Sequence, residues 1–363
     1  MSRAACAIID LEALKHNLSR VKAFASSQKI IAMIKADAYG HGILRVATAL
    51  EHADAFGVAC LEEAQILRHA GIKNTIILME GFFKADELTI IDQLNLDVVI
   101  HDSYQLEILN QIQLEKPLNI WLKIDTGMHR LGFSFEQAGE VWQQLSEHPN
   151  VAGEPKLMTH FACADDVESP LTKQQIQKFQ KATQSIKAEK SLANSAAILE
   201  WPQTHGDWVR PGIMLYGISP FLASRGQFYD LKPVMTLQSE IIAIHPIKKG
   251  DVVGYGATWQ APEDMLVGVV AMGYGDGYPR HAPSGTPILV NNQRVPLIGR
   301  VSMDMLTVDL RTVIEPKIGM AVVLWGKGLP VEEIAEHADT IAYELLCGIT
   351  RRVAVKALDS AGD

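Results

Sequence analysis

From residue 30 to about residue 215 the chain repeats one rhythm: a short, unbroken apolar run, a turn, then a longer stretch with apolar residues at helical spacing. Unbroken apolar runs of this length read as strands buried on both faces. Eight are legible: IIAMI (30–34), AFGVA (55–59), TIILM (75–79), DVVI (97–100), LNIWLKI (118–124), PKLMTH (155–160), SLANS (191–195) and DWVRP (207–211). Between them LEEAQILRHAG (61–71) sets Leu61, Ala64, Ile66 and Leu67 at helical spacing, with Gly71 as its stop. ADELTIIDQL (85–94) and SFEQAGEVWQQLSEH (134–148) behave alike, and Ser134 is the expected N-cap of the second. Strands alternating with helices predict parallel βαβ units, and eight of them predict a closed (β/α)8 TIM barrel, with a doubly wound sheet as the alternative. After about residue 232 the texture changes. Val/Ile-rich runs split by KKGD, NNQ and GKG turns predict an all-β domain, with PVEEIAEHA (330–338) almost the only helical pattern in it. The expected domains are residues 1–232 and 233–363. The run CAIID (6–10) has no obvious barrel partner.

Composition narrows the setting. A length of 363 residues suggests two or three domains, and 48% hydrophobic with 21% charged residues is ordinary for a soluble globular chain. A net charge of −9 recommends neither a nucleic acid nor an anionic membrane as partner. The four cysteines (Cys6, Cys60, Cys163, Cys347) show no CxxC or zinc-type spacing, so no metal site is expected and buried thiols in a reducing compartment are the default. No signal-peptide core or membrane-length segment stands out, and a cytoplasmic location is expected.

The chemistry of a parallel barrel gathers where its strands end. Lys35 ends IIAMI and leads into the glycine-bracketed turn ADAYGHG. Its ordinary reading is a lysine snorkelling from a strand edge; the sharper one is an amine at the barrel mouth, poised for covalent catalysis on a carbonyl. Lys123, His160, Ser195 and Arg210 fall at the same end, with Tyr39 and Arg130 in the loops just beyond. Each also has a structural reading: a solvated cation, a core histidine, a helix cap. Ser195 opens a short helix start, NSAAILE, and Gly212-Ile213 offer unhindered backbone N–H groups, which are features of an anion site. A lysine and a phosphate cradle on one rim suggest pyridoxal 5'-phosphate. The glycines of GYGDGY (273–278) are followed by no helical pattern, so they read as turns beside Tyr274 rather than as a dinucleotide fingerprint.

MIKADAYGHG, LKIDTGMHRLGF (122–133), MTHFACAD (158–165), LANSAA (192–197), WVRPGIMLYGISP (208–220), VGYGATW (253–259), GYGDGYPR (273–280) and RVSMDM (300–305) together resemble the alanine racemases, which are fold-type III pyridoxal phosphate enzymes. The resemblance spans essentially the whole chain. It implies a barrel, a C-terminal β domain that also takes in residues 1–10, and a homodimer whose active sites are shared between subunits. It makes Lys35 the Schiff-base lysine and Tyr255 the opposing acid/base. Tyr39, Ser195, Gly212, Ile213 and Tyr343 would cradle the phosphate, and Arg210 would face the pyridine nitrogen. Arg130 and the backbone of Met303 would hold the substrate carboxylate, Tyr274 would line the entrance and His160 would support Tyr255. Lys123 matches a lysine carbamylated in many members; the plainer alternative is that it pairs with Asp125. One departure is Ser191, where some members carry a histidine that props the arginine, so the support of Arg210 is an open question.

The residue types suit racemisation, which removes the α-proton from one face and returns it to the other. One base would tend to restore the proton it took, so two are needed. Tyrosine can be the second only if its pKa falls from near 10, and His160 with Arg210 could lower it. A decarboxylase of basic amino acids would be expected to offer a carboxylate where Arg210 stands. A serine-preferring racemase, or a carrier that holds the cofactor without turnover, are the other readings; such carriers lack the β domain.

Overall fold

The computed structural model describes residues 3–222 and 224–358; the ends of both expected domain ranges (Met1, Ser2, residues 359–363) and Ala223 lie outside the described residues. The chain divides into two compact units, one of residues 17–215 and 219–224, the other of residues 1–16, 216–218 and 225–363.

Strands are numbered along the chain. The first, β1 (Cys6–Asp10), belongs to the second unit. The first unit holds β2 (Lys29–Met33), β3 (Ala55–Val58), β4 (Thr75–Leu78), β5 (Asp97–Ile100), β6 (Ile120–Asp125), β7 (Phe133–Ser134), β8 (Lys156–Met158), β9 (Lys190–Ser191) and β10 (Trp208–Val209). Parallel pairing runs β2-β3-β4-β5-β6-β8-β9-β10 and returns from Trp208 to Lys29 on β2, which closes an eight-stranded barrel. Its inner strands are buried along nearly their whole length, which is why they read as unbroken Val/Ile runs. The two faintest strands are two residues long. The ladder continues past them through irregular backbone, with Arg210 N–H donating to the Ala193 carbonyl and Met33 N–H to the Pro211 carbonyl, both at 2.9 Å.

The helices Leu61–His69 and Ala85–Gln93 lie where the spacing places them. The third does not begin at Ser134. Residues 133–134 form β7 beside β6, and the helix runs Ala138–Ser146 with Gln137 as its cap residue. The cause is Gly132, at φ +129°, where a Cβ would stand 2.6 Å from the Asp125 nitrogen; the chain returns too close to β6 to start a helix.

The β unit contains β11 (Met235–Ile247), β12 (Val252–Val253), β13 (Trp259–Gln260), β14 (Met265–Val270), β15 (Pro287–Val290), β16 (Gln293–Ile298), β17 (Leu306–Asp309), β18 (Ala321–Trp325) and β19 (Ala354–Leu358). Its main sheet runs β14-β17-β16-β15-β18-β11-β1-β19. The N-terminal run finds its partners here: β1 pairs antiparallel with β11 (Cys6↔Gln238) and parallel with β19 (Cys6↔Ala354). β11 is long enough to serve two partners, pairing with β18 up to Glu240 and with β14 from Ile241, with a bulge between Ile241 and Ala243. A second helix, Ala342–Cys347, accompanies the expected one at Val331–His337. It escapes notice in the sequence because six residues give one apolar repeat, Ala342, Leu345 and Leu346. Among the described residues no helix is long and apolar enough to cross a membrane. Of the cysteines, Cys6 is buried, Cys60 and Cys163 are half-buried and Cys347 is exposed, so the expectation of buried thiols holds only for the first.

Candidate active site

The rim of the barrel gathers four cations from three of its strands and the loops that follow them. Lys35 follows β2, Lys123 lies within β6, Arg130 stands in the loop after it and Arg210 follows β10. Arg210 is buried, and among the described residues no carboxylate is one of its hydrogen-bond partners. Its Nη1 donates to the Ser191 carbonyl (2.8 Å) and the Ser191 hydroxyl (2.7 Å), and its Nη2 to the carbonyls of Thr159 (2.6 Å) and Leu192 (3.2 Å) and to His160 Nδ1 (3.3 Å). Ser191 therefore props the arginine itself. Its hydroxyl proton is committed to the Trp208 carbonyl at 3.0 Å, which leaves the oxygen free to accept. Burial lowers Arg210 to about 10, still some three units above neutrality, so it remains charged.

Burial first, then the neighbouring Arg210, Arg130 and Lys35, bring Lys123 down to about 8, with Glu80 opposing. His160 is held well below its ordinary range by enclosure and then by Arg210, Lys123, Arg130 and Lys35. It is a neutral imidazole. Because Nδ1 accepts from Arg210, its proton sits on Nε2. Asp125 is turned to its own loop: its Oδ1 takes the N–H groups of Gly127, Met128 and His129 at 2.9–3.1 Å and shapes the loop that carries the exposed Arg130.

The anion-binding features also meet. Ser195 opens the helix Ser195–Glu200, capped by the Asn194 side chain, and its hydroxyl accepts the N–H groups of Gly212 (2.9 Å) and Met214 (3.4 Å). A side chain at Gly212 would put its first carbon 2.6 Å from the Tyr39 hydroxyl. Tyr39, Ser195 and Gly212 thus form one tight cradle of hydroxyl and backbone groups, with buried Ile213 next in the chain. The residues fit a phosphorylated carbonyl cofactor: an amine at Lys35, a cradle of hydroxyl and backbone N–H groups, and a buried arginine supported, among the described residues, by neutral acceptors.

Lys35 leads into a left-handed turn. Ala36, Asp37, Ala38 and Tyr39 have φ of 54°, 52°, 54° and 54°. At about 1–2 kcal/mol per non-glycine residue the turn stores roughly 4–8 kcal/mol, and residues in such conformations cluster at functional sites. It is held by Ala38 N–H on the Ile34 carbonyl, Gly42 N–H on the Asp37 carbonyl (both 2.9 Å) and Ile43 N–H on Asp37 Oδ1 (2.7 Å). The buried His41 donates from Nδ1 to the carbonyls of Tyr39 (2.8 Å) and Ala38 (3.0 Å), and burial takes it down to about 4.

In the β unit, Tyr255 starts a short turn between Gly254 (φ +74°) and Gly256 (φ +75°) and is 71% exposed; Met303 is 53% exposed and Tyr274 38%. These three would-be site residues present large apolar surface on this unit. GYGDGY is a turn packed on the Met303 segment: Tyr274 N–H donates to the Ser302 carbonyl (3.0 Å) and Gly275 N–H to the Met303 carbonyl (2.8 Å), and a Cβ on Gly273 would stand 2.4 Å from both oxygens. Asp276, fully buried, pins it through Gly273 N–H (3.0 Å), Arg3 (2.5 Å) and Arg352 (3.3 Å). Tyr343 is half-buried on the Ala342–Cys347 helix.

Sequence reasoning passed over the buried neutral network beneath the rim. Gln175 donates to the Thr126 hydroxyl (3.1 Å) and the His160 carbonyl (3.0 Å), while Thr159 bridges Thr126 (2.9 Å) and the Ile124 carbonyl (2.8 Å). Threonines just past the strand ends and a glutamine in a helix carry no signal that separates them from ordinary strand and surface positions.

Residues 9–220 match the family described as alanine racemase, N-terminal domain, and residues 234–357 that described as alanine racemase, C-terminal domain. The chain is 52% identical over 347 residues to the alanine racemase of Shewanella woodyi, covering 96% of this chain and 97% of that one. It is 51% identical over 351 residues to the alanine racemase of Vibrio parahaemolyticus, covering 97% and 98%. Among solved structures it is similar to the biosynthetic alanine racemase of Pseudomonas aeruginosa, with a TM-score of 0.96, 46% identity, and 98% and 100% of the two chains covered.

Proposed function

The chain belongs to the alanine racemase family and is a racemase of alanine, and from that premise we propose that it works by a two-base mechanism with Lys35 and Tyr255 on opposite faces of the substrate. Pyridoxal 5'-phosphate, when bound, supplies an electron-withdrawing system that acidifies the α-proton of an attached amino acid. Tyr39, Ser195, Gly212, Ile213 and Tyr343 would hold its phosphate, and Lys35 its carbonyl carbon. Arg210 would present Nε, since among the described residues its hydrogen bonds engage the two terminal nitrogens. Protonated at neutral pH, it donates a hydrogen bond and keeps its proton, which limits electron withdrawal and so disfavours side reactions. That buried, carboxylate-free arginine is the observation that carries the reading.

Lys35, as a free amine, moves the proton at one face; the Tyr255 phenol moves it at the other. Neutral His160, with its proton on Nε2 and a cation behind Nδ1, is suited to stabilise the phenolate form. Arg130 and the Met303 backbone N–H bind the substrate carboxylate, and Tyr274 narrows the entrance. A carbamate on Lys123 would set an anion against Arg130 and fix its guanidinium. The exposure of Tyr255, Tyr274 and Met303 supports their serving the barrel of a second copy in a homodimer. The physiological role is supply of D-alanine for peptidoglycan or catabolism of alanine.

The test is α-proton exchange in deuterated water. The wild type should exchange and racemise both alanine enantiomers in preference to serine. Tyr255→Phe should lose about 10²–10⁴ in racemisation, the scale of a general acid/base, yet still exchange one enantiomer. Equal loss of exchange for both enantiomers would remove the two-base scheme, serine preference would reassign the substrate, and no exchange by the wild type would leave a carrier.

A further inference from the structure

The first left-handed residue after Lys35 is held from a different βα unit. Glu63 sits in the first turn of the helix Leu61–His69, which follows β3, the strand paired with β2 (Met33↔Gly57). Its carboxylate spans the two loops: Oε1 accepts the Ala36 N–H at 2.6 Å and Oε2 accepts the Ala59 N–H at 2.8 Å. The exposed Ala36 itself sits at φ 54° and ψ 52°, a conformation its Cβ disfavours. A backbone N–H bound to a carboxylate is a strong, charge-assisted hydrogen bond, and here it is spent on the residue directly after the lysine.

We propose that Glu63 is a positioning residue for Lys35: anchored on Ala59, its carboxylate holds Ala36 in the left-handed conformation and so sets the direction in which Lys35 leaves its strand. The proposal rests on Lys35 as the cofactor lysine. Most of the other bonds of the turn are made within residues 34–43, and ahead of it Ile34 N–H donates to the Gly57 carbonyl of β3 at 3.0 Å. Glu63 ties the left-handed residue itself to the neighbouring unit, whose strand β3 pairs with both β2 and β4. Glu63 thereby acts on the lysine through the backbone of Ala36.

The test is a strain-rescue cycle of Glu63→Ala, Glu63→Gln, Ala36→Gly and the double variant Glu63→Ala/Ala36→Gly. Two readouts are used: release of pyridoxal phosphate from the holoenzyme, followed by its bound absorbance, and amide exchange of residues 34–43 in enzyme stripped of cofactor. Loss of a charge-assisted bond should weaken cofactor retention about 10- to 100-fold in Glu63→Ala and speed exchange at residues 36–39 by a similar factor. Glu63→Gln has one oxygen for two N–H groups and should fall between, without a change of side-chain size. Ala36→Gly should be near wild type alone. In the double variant it should recover at least half of the loss on a logarithmic scale, because glycine takes φ of +54° without a Cβ penalty. Glutamine behaving as wild type in both readouts, or a Glu63→Ala loss that is the same with and without Ala36→Gly, overturns the proposal. Failure of the Lys35 assignment would look different: Lys35→Ala would keep the bound absorbance while the exchange result in stripped enzyme stood unchanged.

Discussion

Removing one hydroxyl, Ser191→Ala, should loosen Arg210 without touching it. The Ser191 side chain is fully buried and makes two bonds, accepting from the guanidinium at 2.7 Å and donating to the Trp208 carbonyl at 3.0 Å. A hydrogen bond to a charged group contributes about 1.5–3 kcal/mol and a neutral one about 0.5–1.5 kcal/mol, and no water can replace either in a closed site. The Ser191 carbonyl still accepts from Nη1 at 2.8 Å, which caps the loss. The expected destabilisation is about 2–4 kcal/mol, a fall of about 1 M in the urea midpoint for a slope near 3 kcal/mol per M. Ser191→Cys separates hydrogen bonding from packing, since sulfur fills a similar volume but accepts weakly. Urea unfolding read by near-ultraviolet circular dichroism, together with kcat/KM, would follow both variants. Both should lose stability, and kcat/KM should drop with it. A cost under 1 kcal/mol for Ser191→Ala, or Ser191→Cys at wild-type stability, would refute the claim that this hydroxyl holds the arginine.

Lys123, brought down to about 8, is about 9% neutral at pH 7, against about 0.03% for an ordinary lysine, so it is some 300-fold richer in the free amine that attacks carbon dioxide. Labelled bicarbonate should appear on Lys123 by native mass spectrometry, and its removal should raise KM for alanine; a KM indifferent to bicarbonate, with no label, would leave Lys123 a plain amine. His41 binds a proton in the unfolded chain near 6.5 but in the folded chain only near 4, so its contribution to stability is complete above pH 6.5 and declines as pH falls toward 4, by up to about 3 kcal/mol. His41→Asn should flatten that part of the stability–pH curve measured by urea unfolding; an unchanged slope would show that the loss arises elsewhere.

The barrel was legible because strands buried on both faces leave unbroken apolar runs, as in DVVI at 97–100. Its last two strands were faint because regular pairing lasts only two residues at Lys190–Ser191 and Trp208–Val209. At the rim, charged residues at strand ends announced themselves. Their supports did not: Ser191, Thr159 and Gln175 act as uncharged hydrogen-bonding groups between positions up to 51 apart, and no local spacing encodes that. The left-handed turn was equally hidden, since Ala36, Asp37 and Ala38 carry no mark of a positive φ in their identities. The helix at Ala342–Cys347 was too short to show a period.

The most direct test of the central claim, two bases from two subunits, is reassembly of an active site from inactive parts. Lys35→Ala and Tyr255→Phe chains are unfolded, mixed in equal amounts and refolded, and mixed dimers are confirmed by mass. With random pairing half the dimers are mixed, and each would hold one doubly defective site and one native site. Activity should return to about a quarter of wild type. Recovery no greater than the sum of the two variants measured alone, with mixed dimers present, would place both bases in one chain and contradict the shared site.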